Sequence, residues 1–425
     1  MSEMELENKP LIECLVSLGR GQSPTYIEEE SGTFAINQKC VRNGAVDAFH
    51  SRPHDQKIRV KDSALLQDGD VCINSTGTGT IGRVGLWSSK GLHNGTRYFA
   101  DSHVTIARPN KEVVNPKYLA TLLESASVQT TMETYCFSGS TNQVELNRTA
   151  LETLKISILG REAQNKVASI LSTLDRAIEQ TEAIIAKQQR IKAGLMQDLL
   201  TKGIDEHGSI RSEDTHEFKD SPLGRIPVEW EVTQLSELAE AIDPQPDHRT
   251  PPQVDDGIPY IGISDFNKDG SIDFARARKI SPTAYRKQVK SFEIGNGDFV
   301  FGKIGTIGLP KLLTSTVNYA LSANVILLKP KEESTFVYWW MVSPIVENLV
   351  ALEIHSTSQP AFGIQKMRTL AIPKISIDES HQIGTAFDGL ARSMKSAEDQ
   401  LSKLNKLKAG LMHDLLTGTV RLANP

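Results

Sequence analysis

The chain contains a long internal repeat, and this feature restricts its possible folds more than any other. The ten residues KAGLMQDLLT at Lys192–Thr201 return as KAGLMHDLLT at Lys408–Thr417, and nine of the ten positions are identical. The offset is 408 − 192 = 216 residues, about half of the 425-residue chain. A repeat of this length indicates two copies of one structural unit.

The segments upstream of both motifs share a helical pattern. Apolar or small side chains recur alternately every four and three residues, and this period of about 3.5 places them on one stripe of a long helix. Each helix could extend about 40 residues, or roughly 60 Å. Two helices with equal length and pattern are natural partners for each other, although each stripe could instead pack onto its own globular domain. The stripes are Val167, Leu171, Leu174, Ile178, Thr181, Ile185 and Gln188 in the first copy, and Ile383, Phe387, Leu390, Met394, Ala397, Leu401 and Leu404 in the second.

The remaining parts of the two halves repeat more weakly. A strand-like segment ends in a Gly-Thr-Ile-Gly turn at Gly79–Gly82 and again at Gly305–Gly308, and the letters KISI at Lys155–Ile158 return at Lys374–Ile377 as a second predicted strand. The chain is therefore predicted to be an α+β protein with a pseudo-two-fold repeat. It would have two similar mixed α/β globular domains separated by two long antiparallel helices in a coiled coil. The predicted boundaries are 1–158 for the first domain, 159–204 for the first helix, 205–231 for a polar linker, 232–378 for the second domain and 379–425 for the second helix.

Composition excludes several classes of protein. No apolar run approaches the roughly 20 residues of a membrane-spanning helix, and the acidic N-terminus lacks the basic start of a secretory signal, so we expect a cytoplasmic protein. Its four cysteines form no C-x-x-C pair and are expected to be reduced thiols. The net charge of −5 and the pI near 6.1 argue modestly against a small autonomous DNA-binding domain, which is usually basic.

No motif of a catalytic centre survives closer inspection. Gly77–Gly82 fits G-x-G-x-x-G, but the next residues alternate like a strand, whereas a dinucleotide site needs a helix there. Asp55 and Lys57, with Asp47 upstream, match a metal-dependent nuclease pattern only loosely. The sequence has no phosphate-binding loop and no Asn-Pro-Pro-Tyr or Asp-Pro-Pro-Tyr run. We therefore predict a protein with no catalytic residues, no metal and no cofactor of its own.

The two predicted globular halves are each followed by a long helix that ends in KAGLM-x-DLLT, and an IP-x-E-W segment lies at Ile226–Trp230. In these features the chain resembles the specificity subunits of type I restriction-modification enzymes. The resemblance implies that the two domains are target recognition domains for double-stranded DNA and that the helices are the central and C-terminal conserved regions. It also implies two methyltransferase subunits, which use S-adenosylmethionine to methylate adenine, and two motor-nuclease subunits, which use ATP and Mg. Because the two halves differ in sequence, the DNA target would be split and asymmetric, in a system of DNA methylation and phage defence.

The resemblance also implies positions for the contacts. The loops next to the Gly-Thr-Ile-Gly turns and the two Ser-Thr-x-Gln loops would face DNA, and the exposed faces of the helices would dock the other subunits. Here Gln359 is followed by Pro360 where Gln143 is followed by Val144, and the N-terminus lacks its own IP-x-E-W segment. The loop residues are Ser75, Thr76, Thr78, Arg83, Asn142, Gln143, Lys303, Thr306 and Gln359. Nearby cations that could contact phosphate are Arg42, Lys57, Arg286, Lys287 and Lys290, and the helix residues assigned to docking are Arg190, Lys192, Asp198, Lys406, Lys408 and Asp414.

Three other interpretations remain open from the sequence. The chain could be a helical scaffold that joins two protein-binding domains without touching DNA, which suits its acidic pI. It could be a nuclease that uses Asp55 and Lys57. Within the DNA-reading class, it could serve a restriction enzyme in which nuclease and methyltransferase are fused.

Overall fold

A computed structural model describes residues 6–29, 31–93, 95–139, 144–245, 249–332, 335–354 and 361–417. The chain divides into two compact units, of which the first comprises residues 1–180 and 401–425 and the second comprises residues 181–400. Each unit therefore contains one globular domain and one part of each long helix. Within the described ranges, no helix combines the length and the apolarity that a bilayer span requires.

The first unit is built around a six-stranded sheet with the strand order β2 (Leu15–Arg20), β10 (Val104–Pro109), β7 (Val71–Asn74), β8 (Val84–Leu86), β5 (Gly44–Val46) and β4 (Val41–Arg42). Strand β7 is buried along its whole length, because Val71 and Ile73 face one apolar cluster while Cys72 faces another on the opposite side. Its strands are β1 (Glu7–Pro10), β2 (Leu15–Arg20), β3 (Thr33–Ile36), β4 (Val41–Arg42), β5 (Gly44–Val46), β6 (Arg52–Pro53), β7 (Val71–Asn74), β8 (Val84–Leu86), β9 (Arg97–Ala100), β10 (Val104–Pro109), β11 (Phe137–Ser138), β12 (Glu145–Leu146) and β13 (Lys155–Ile158). Its helices are α1 (Pro116–Glu124), α2 (Ala126–Tyr135), α3 (Arg148–Glu152) and the start of α4 (Arg161–Leu199).

The second unit repeats this plan around a four-stranded sheet with the strand order β17 (Ala239–Ile242), β23 (Val325–Pro330), β20 (Phe299–Gly302) and β21 (Gly308–Leu312). Strand β20 occupies the place of β7, with Phe299 and Phe301 on one buried face and Val300 on the other. Its strands are β14 (Phe218–Ser221), β15 (Gly224–Pro227), β16 (Glu231–Gln234), β17 (Ala239–Ile242), β18 (Gln253–Ile261), β19 (Lys279–Ile280), β20 (Phe299–Gly302), β21 (Gly308–Leu312), β22 (Ala320–Leu321), β23 (Val325–Pro330) and β24 (Ala371–Lys374). Its helices are α5 (Leu235–Leu238), α6 (Pro282–Gln288), α7 (Phe336–Val342), α8 (Pro344–Ile354), α9 (Ile364–Arg368) and most of α10 (Ile377–Leu416).

The two long helices contact each other in an antiparallel sense, as the sequence predicts. In the first unit, Lys408 of α10 lies 2.8 Å from Asp175 of α4. In the second unit, the Gln188 amide of α4 donates to the Ser393 hydroxyl of α10 at 2.7 Å. The stripes also pack onto the domains where their helices begin. Val167 of α4 belongs to the core of the first unit, and its equivalent in α10, Ile383, belongs to the core of the second unit. Both arrangements that the pattern allowed are therefore present.

The repeated motif is explained by packing at the helix ends. Leu415 and Leu416, which end the second copy, are buried in the core of the first unit, beside the start of α4. Leu199 and Leu200, which end the first copy, are buried in the core of the second unit, beside the start of α10. Each motif thus completes the core of the unit in which the other long helix begins.

The second KISI segment was assigned to the wrong structure. Strand β24 covers Ala371–Lys374 and pairs antiparallel with β16, so that Lys374 faces Glu231. Ile377 is already the first residue of α10. The equivalent of Lys155 is Ala371, since 155 + 216 = 371, and the strand follows the offset of the helices. The identical letters KISI suggested the wrong equivalence, because the position of the strand is set by its pairing with β16 and not by its own residues.

The segment 205–231, expected to be a linker, is a folded part of the second unit. It contains the hairpin β14–β15, and Arg211, Ile226 and Trp230 are buried. Three donors from the chain that follows α4 converge on the buried carboxylate of Glu379 in the first turn of α10. They are the Ile204 backbone N–H at 2.9 Å, Arg211 Nη1 at 2.5 Å and Trp230 Nε1 at 3.2 Å. The polar composition of the segment concealed this packing because its acceptor lies about 150 residues further along the chain.

Candidate nucleic-acid interface

The first Gly-Thr-Ile-Gly segment is a compact turn between antiparallel strands β7 and β8. The Ile81 N–H donates to the Gly77 carbonyl at 3.0 Å, and the Gly82 N–H donates to the Asn74 carbonyl at 2.9 Å. Gly77, Gly79 and Gly82 all have positive φ, a conformation in which a side chain would be strained. Since a strand and not a helix follows, the G-x-G-x-x-G match is not a dinucleotide fingerprint.

The second turn has the same place between β20 and β21. Gly305 and Gly308 have positive φ. A Cβ atom on Gly302 would lie 1.9 Å from the Thr306 carbonyl oxygen, so the backbone could not close this turn with another residue there. The turn leaves the Thr306 side chain exposed. Both units therefore present a short polar turn directly after their most deeply buried strand.

A groove of about 1050 Å³ lies beside the turn of the first unit, and we call it the first groove. Thr76 and Thr78 line it on the turn side, with the Thr76 hydroxyl 2.8 Å from His103 Nδ1. Glu133 and Glu145 also line it; Glu145 forms an isolated β-bridge with Thr76 and accepts a hydrogen bond from Arg20 at 2.9 Å. Among the described residues that line the first groove, none is Arg or Lys.

A second groove of about 520 Å³ lies beside the turn of the second unit. Thr306 and Asn324 line it near the turn, and Arg276 and Arg278 line it from the segment before β19. Asp265 is also present, with its carboxylate accepting the Gly262 N–H at 2.8 Å. The two grooves are thus placed alike on their units but differ in charge.

The structure brings some of the predicted loop residues to these grooves and buries others. Thr76, Thr78 and Thr306 line them, and Arg83 is exposed, with Nη2 donating to the Gly79 carbonyl at 2.9 Å. By contrast, two of the predicted DNA contacts are enclosed within the protein.

The two enclosed residues are Ser75 and Lys303, and the expectation that their side chains contact DNA directly was wrong. Ser75 is fully buried and its hydroxyl lies 2.6 Å from that of Thr105. The Lys303 side chain is 7% exposed, and its ammonium lies 2.7 Å from Asp243. Each residue directly follows a buried strand, β7 or β20, and its side chain is bound to a partner within its own unit.

The remaining predicted DNA contacts lie on the surface or outside the described residues. Arg42, Lys57, Arg286, Lys287 and Lys290 are exposed. The Arg42 guanidinium donates to the Lys39 carbonyl at 2.8 and 3.0 Å. Asn142, Gln143 and Gln359 fall outside the part of the chain that the structure describes.

The helix residues assigned to docking fall into two groups. Lys408 pairs with Asp175, and Lys192 lies over the Trp339 ring with its ammonium 5.1 Å from the centroid, so both lysines of the repeated motif make contacts inside their units. Burial lowers the pKa of Lys192. Asp198 pairs at 2.8 Å with Lys202 in the turn that follows α4. Arg190 and Lys406 are exposed and Asp414 is partly exposed, so these three remain available to a partner.

The lysine pair around Asp175 shapes the electrostatics of the first unit. Burial alone would raise the pKa of Asp175, but hydrogen bonds from Lys117 at 2.5 Å and Lys408 at 2.8 Å outweigh it and hold the pKa below its ordinary value. The ion pairs therefore link α1, α4 and α10 at the point where the helices cross the domain.

The features that would indicate a catalytic or metal centre are not seen in the described ranges. No group of three or more His, Cys, Asp or Glu side chains there could hold a metal ion. Asp55 accepts the Lys57 backbone N–H at 2.9 Å, a local turn rather than a pair of catalytic side chains. The four cysteines are buried free thiols, and burial raises the pKa of Cys40 to about 11.

Arg276 and Arg278, which line the second groove, were not among the residues that the sequence assigned to the interface. Arg276 and Arg278 are two residues apart just before β19, and this spacing could have suggested that both point to the same side. The groove itself could not be predicted, because it is formed by segments far apart in the sequence.

Each unit combines a sheet domain that carries a turn-lined groove with parts of the two long antiparallel helices. The chain belongs to the family described as type I restriction modification DNA specificity domain, whose model matches residues 32–188 and 227–406.

Relatives support this assignment over most of the chain. It is 23% identical over 417 residues to the type I restriction enzyme MjaVIII specificity subunit of Methanocaldococcus jannaschii, covering 95% of this chain and 91% of that protein. It is 23% identical over 313 residues to the EcoBI specificity subunit of Escherichia coli, covering 68% of this chain and 64% of that protein. The crystal structure of the type I restriction-modification S subunit from M. genitalium matches with a TM-score of 0.63 and 14% identity, over 98% of this chain and 97% of that one, which shows a shared fold.

Proposed function

We propose that this chain binds a split, asymmetric duplex DNA target and directs an adenine methyltransferase to it, without catalysing a reaction itself. One observation carries the proposal: the two units place similar turns beside similar grooves, but line those grooves with different side chains. Because the grooves have the same place on the two units, they would make two DNA contacts of one kind. Because their lining side chains differ, the two half-targets would differ in sequence.

The chemistry of the grooves is suited to reading bases. Threonine hydroxyls can donate and accept, asparagine can pair with adenine, and arginine can pair with guanine in the major groove. Phosphate contacts would come from the exposed cations Arg42, Lys57, Arg286, Lys287 and Lys290. The net charge of −5 limits the non-specific attraction to DNA, so we expect tight binding only together with partner subunits.

Those partners would be two methyltransferase subunits and, through them, two motor-nuclease subunits. The methyltransferases would hold S-adenosylmethionine and flip the target adenine out of the duplex, and the motor subunits would use ATP and Mg. The exposed Arg190 and Lys406 on the long helices are candidates for docking. This assembly would act in the cytoplasm, where the DNA is.

The test is to express the chain together with the methyltransferase subunit of its own system and map methylated adenines by single-molecule sequencing. We expect a two-part motif separated by unspecified bases, which disappears when this chain is omitted. A complex that co-purifies but methylates no motif dependent on this chain would contradict the proposal and favour a protein scaffold.

A further inference from the structure

The second groove holds an arginine whose position is fixed before any ligand arrives. The Arg278 backbone carbonyl accepts the Tyr260 N–H at 2.9 Å, which anchors the residue next to the start of β19. Its Nη2 donates to the Pro251 carbonyl at 2.7 Å, and its guanidinium carbon lies 5.5 Å from the centroid of the Tyr260 ring. A guanidinium held in this way loses little freedom when it binds a planar acceptor pair.

The hydrogen-bonding capacity of this arginine is only partly used. Its Nε is buried and has no hydrogen-bond partner. A buried donor without an acceptor is costly, so a ligand acceptor that reached Nε would remove that cost.

The rest of the second groove suits a base edge better than a phosphate. Thr306 and Asn324 are exposed on the wall near the turn, and Arg276 is fixed through a hydrogen bond from Nη2 to the Ser264 carbonyl. Asp265 contributes a negative charge that would repel a phosphate close by. The Arg side chain is the commonest specific partner of guanine, because its fork matches the O6 and N7 acceptors in the major groove.

The first groove has the opposite character. Its described lining includes Glu133 and Glu145 and no Arg or Lys. Carboxylates accept hydrogen bonds from the amino group of cytosine and cannot pair with the O6 and N7 acceptors of guanine. A guanine contact through arginine is therefore a property of the second groove.

We infer that Arg278 is a specificity-determining residue that reads a guanine in the half-target bound by the second unit. This inference rests on the proposed function, since it requires that the grooves face DNA. It makes no demand on which other bases the half-target contains.

The experiment compares the methylation motifs of the wild-type chain, Arg278→Ala and Arg278→Lys, each co-expressed with the methyltransferase subunit. We expect both variants to methylate sites in which one guanine of one half-target is replaced, with discrimination at that position reduced about five- to hundredfold. All other positions should stay specified. The lysine variant keeps the charge and much of the stem that packs near Tyr260, so it tests base reading even if the alanine variant folds poorly.

A matched control is Arg286→Ala, which removes an exposed arginine of the same unit that is not among the residues lining the groove. It should leave the motif unchanged, even if methylation weakens at every site. If Arg278→Ala and Arg278→Lys both keep the guanine specified, or if they lower methylation evenly at all sites, Arg278 is a structural or phosphate-binding residue and the inference is wrong. Absence of any chain-dependent motif in the wild type would instead refute the proposed function.

Discussion

Removal of the Glu379 carboxylate should destabilise the second unit severely. Glu379 and Arg211 have side chains only 8% and 7% exposed. In Glu379→Ala, the buried guanidinium of Arg211, the Trp230 indole N–H and the Ile204 N–H would all lose an acceptor. Breaking a buried ion pair from one side costs about 3–5 kcal/mol of unfolding free energy. Glu229 lies 3.0 Å from Arg211 on the solvent side and can offset part of this, so we expect about 3 kcal/mol.

The second unit spans 400 − 181 + 1 = 220 residues, and for a domain of that size about 3 kcal/mol corresponds to a Tm lowered by roughly 6–12 °C. Urea unfolding followed by tryptophan fluorescence reports on this unit, because Trp230, Trp339 and Trp340 are buried in its core. Asp399→Ala on the same helix is the control, since its carboxylate is 55% exposed and pairs only with Lys395, and it should cost less than about 0.5 kcal/mol. An unfolding free energy for Glu379→Ala within about 1 kcal/mol of wild type would refute the reasoning.

The other predictions concern the first unit, the turns and the helices. Asp175→Asn should lower the unfolding free energy by about 1–3 kcal/mol at pH 7. Because the pKa of Asp175 is held below its ordinary value, its contribution is complete above about pH 4 and is lost as the pH falls through the native pKa. Urea midpoints of variant and wild type should therefore converge in acid, and a gap that is constant with pH would contradict this. Arg83→Ala should weaken DNA binding by the complex without changing the Tm. Lys303→Ala should lower the Tm because it removes the 2.7 Å ion pair between the buried Lys303 ammonium and Asp243. If Arg83→Ala and Lys303→Ala had equal effects on DNA binding and on the Tm, the distinction between an exposed and a buried turn residue would be wrong. Four residues inserted into each long helix, after Gln180 and after Gln400, add about 6 Å. If the helices set the gap between half-targets, it should lengthen by about two base pairs at 3.4 Å each, and an unchanged motif would exclude that role.

The sequence was sufficient for those parts of the fold that depend on local pattern. The helical period of α4 and α10 and the strand–turn–strand character around Gly79–Gly82 can be read from neighbouring residues, because periodicity and glycine content report directly on backbone conformation. The 216-residue offset follows from the repeated letters themselves. The resemblance to a known family then supplied the arrangement of domains and helices.

Contacts between distant residues could not be predicted in this way. A stripe identifies the buried face of a helix but not its partner, so the packing of Leu415 and Leu416 into the first unit was not foreseen. The turns lie where the sequence placed them, with Thr76, Thr78 and Thr306 lining the grooves, but the burial of Ser75 and Lys303 was not foreseen. Lys303 follows a strand, and its burial depends on Asp243, which lies 60 residues earlier. Arg278 escaped assignment because its groove is assembled from several segments far apart in the sequence.

The completion of one core by the other helix end has a consequence for synthesis of the chain on the ribosome. The second unit is continuous from residue 181 to residue 400, whereas the first needs residues 401–425. Between translation of residue 180 and of Leu416, 416 − 180 = 236 residues must be made, which takes roughly 12–47 s at about 5–20 residues per second. For that time the domain made first has an unfilled apolar site where Leu415 and Leu416 will pack, and it is the last part of the protein to finish folding. Chaperones that act during translation would therefore meet the N-terminal half of this protein rather than its C-terminal half.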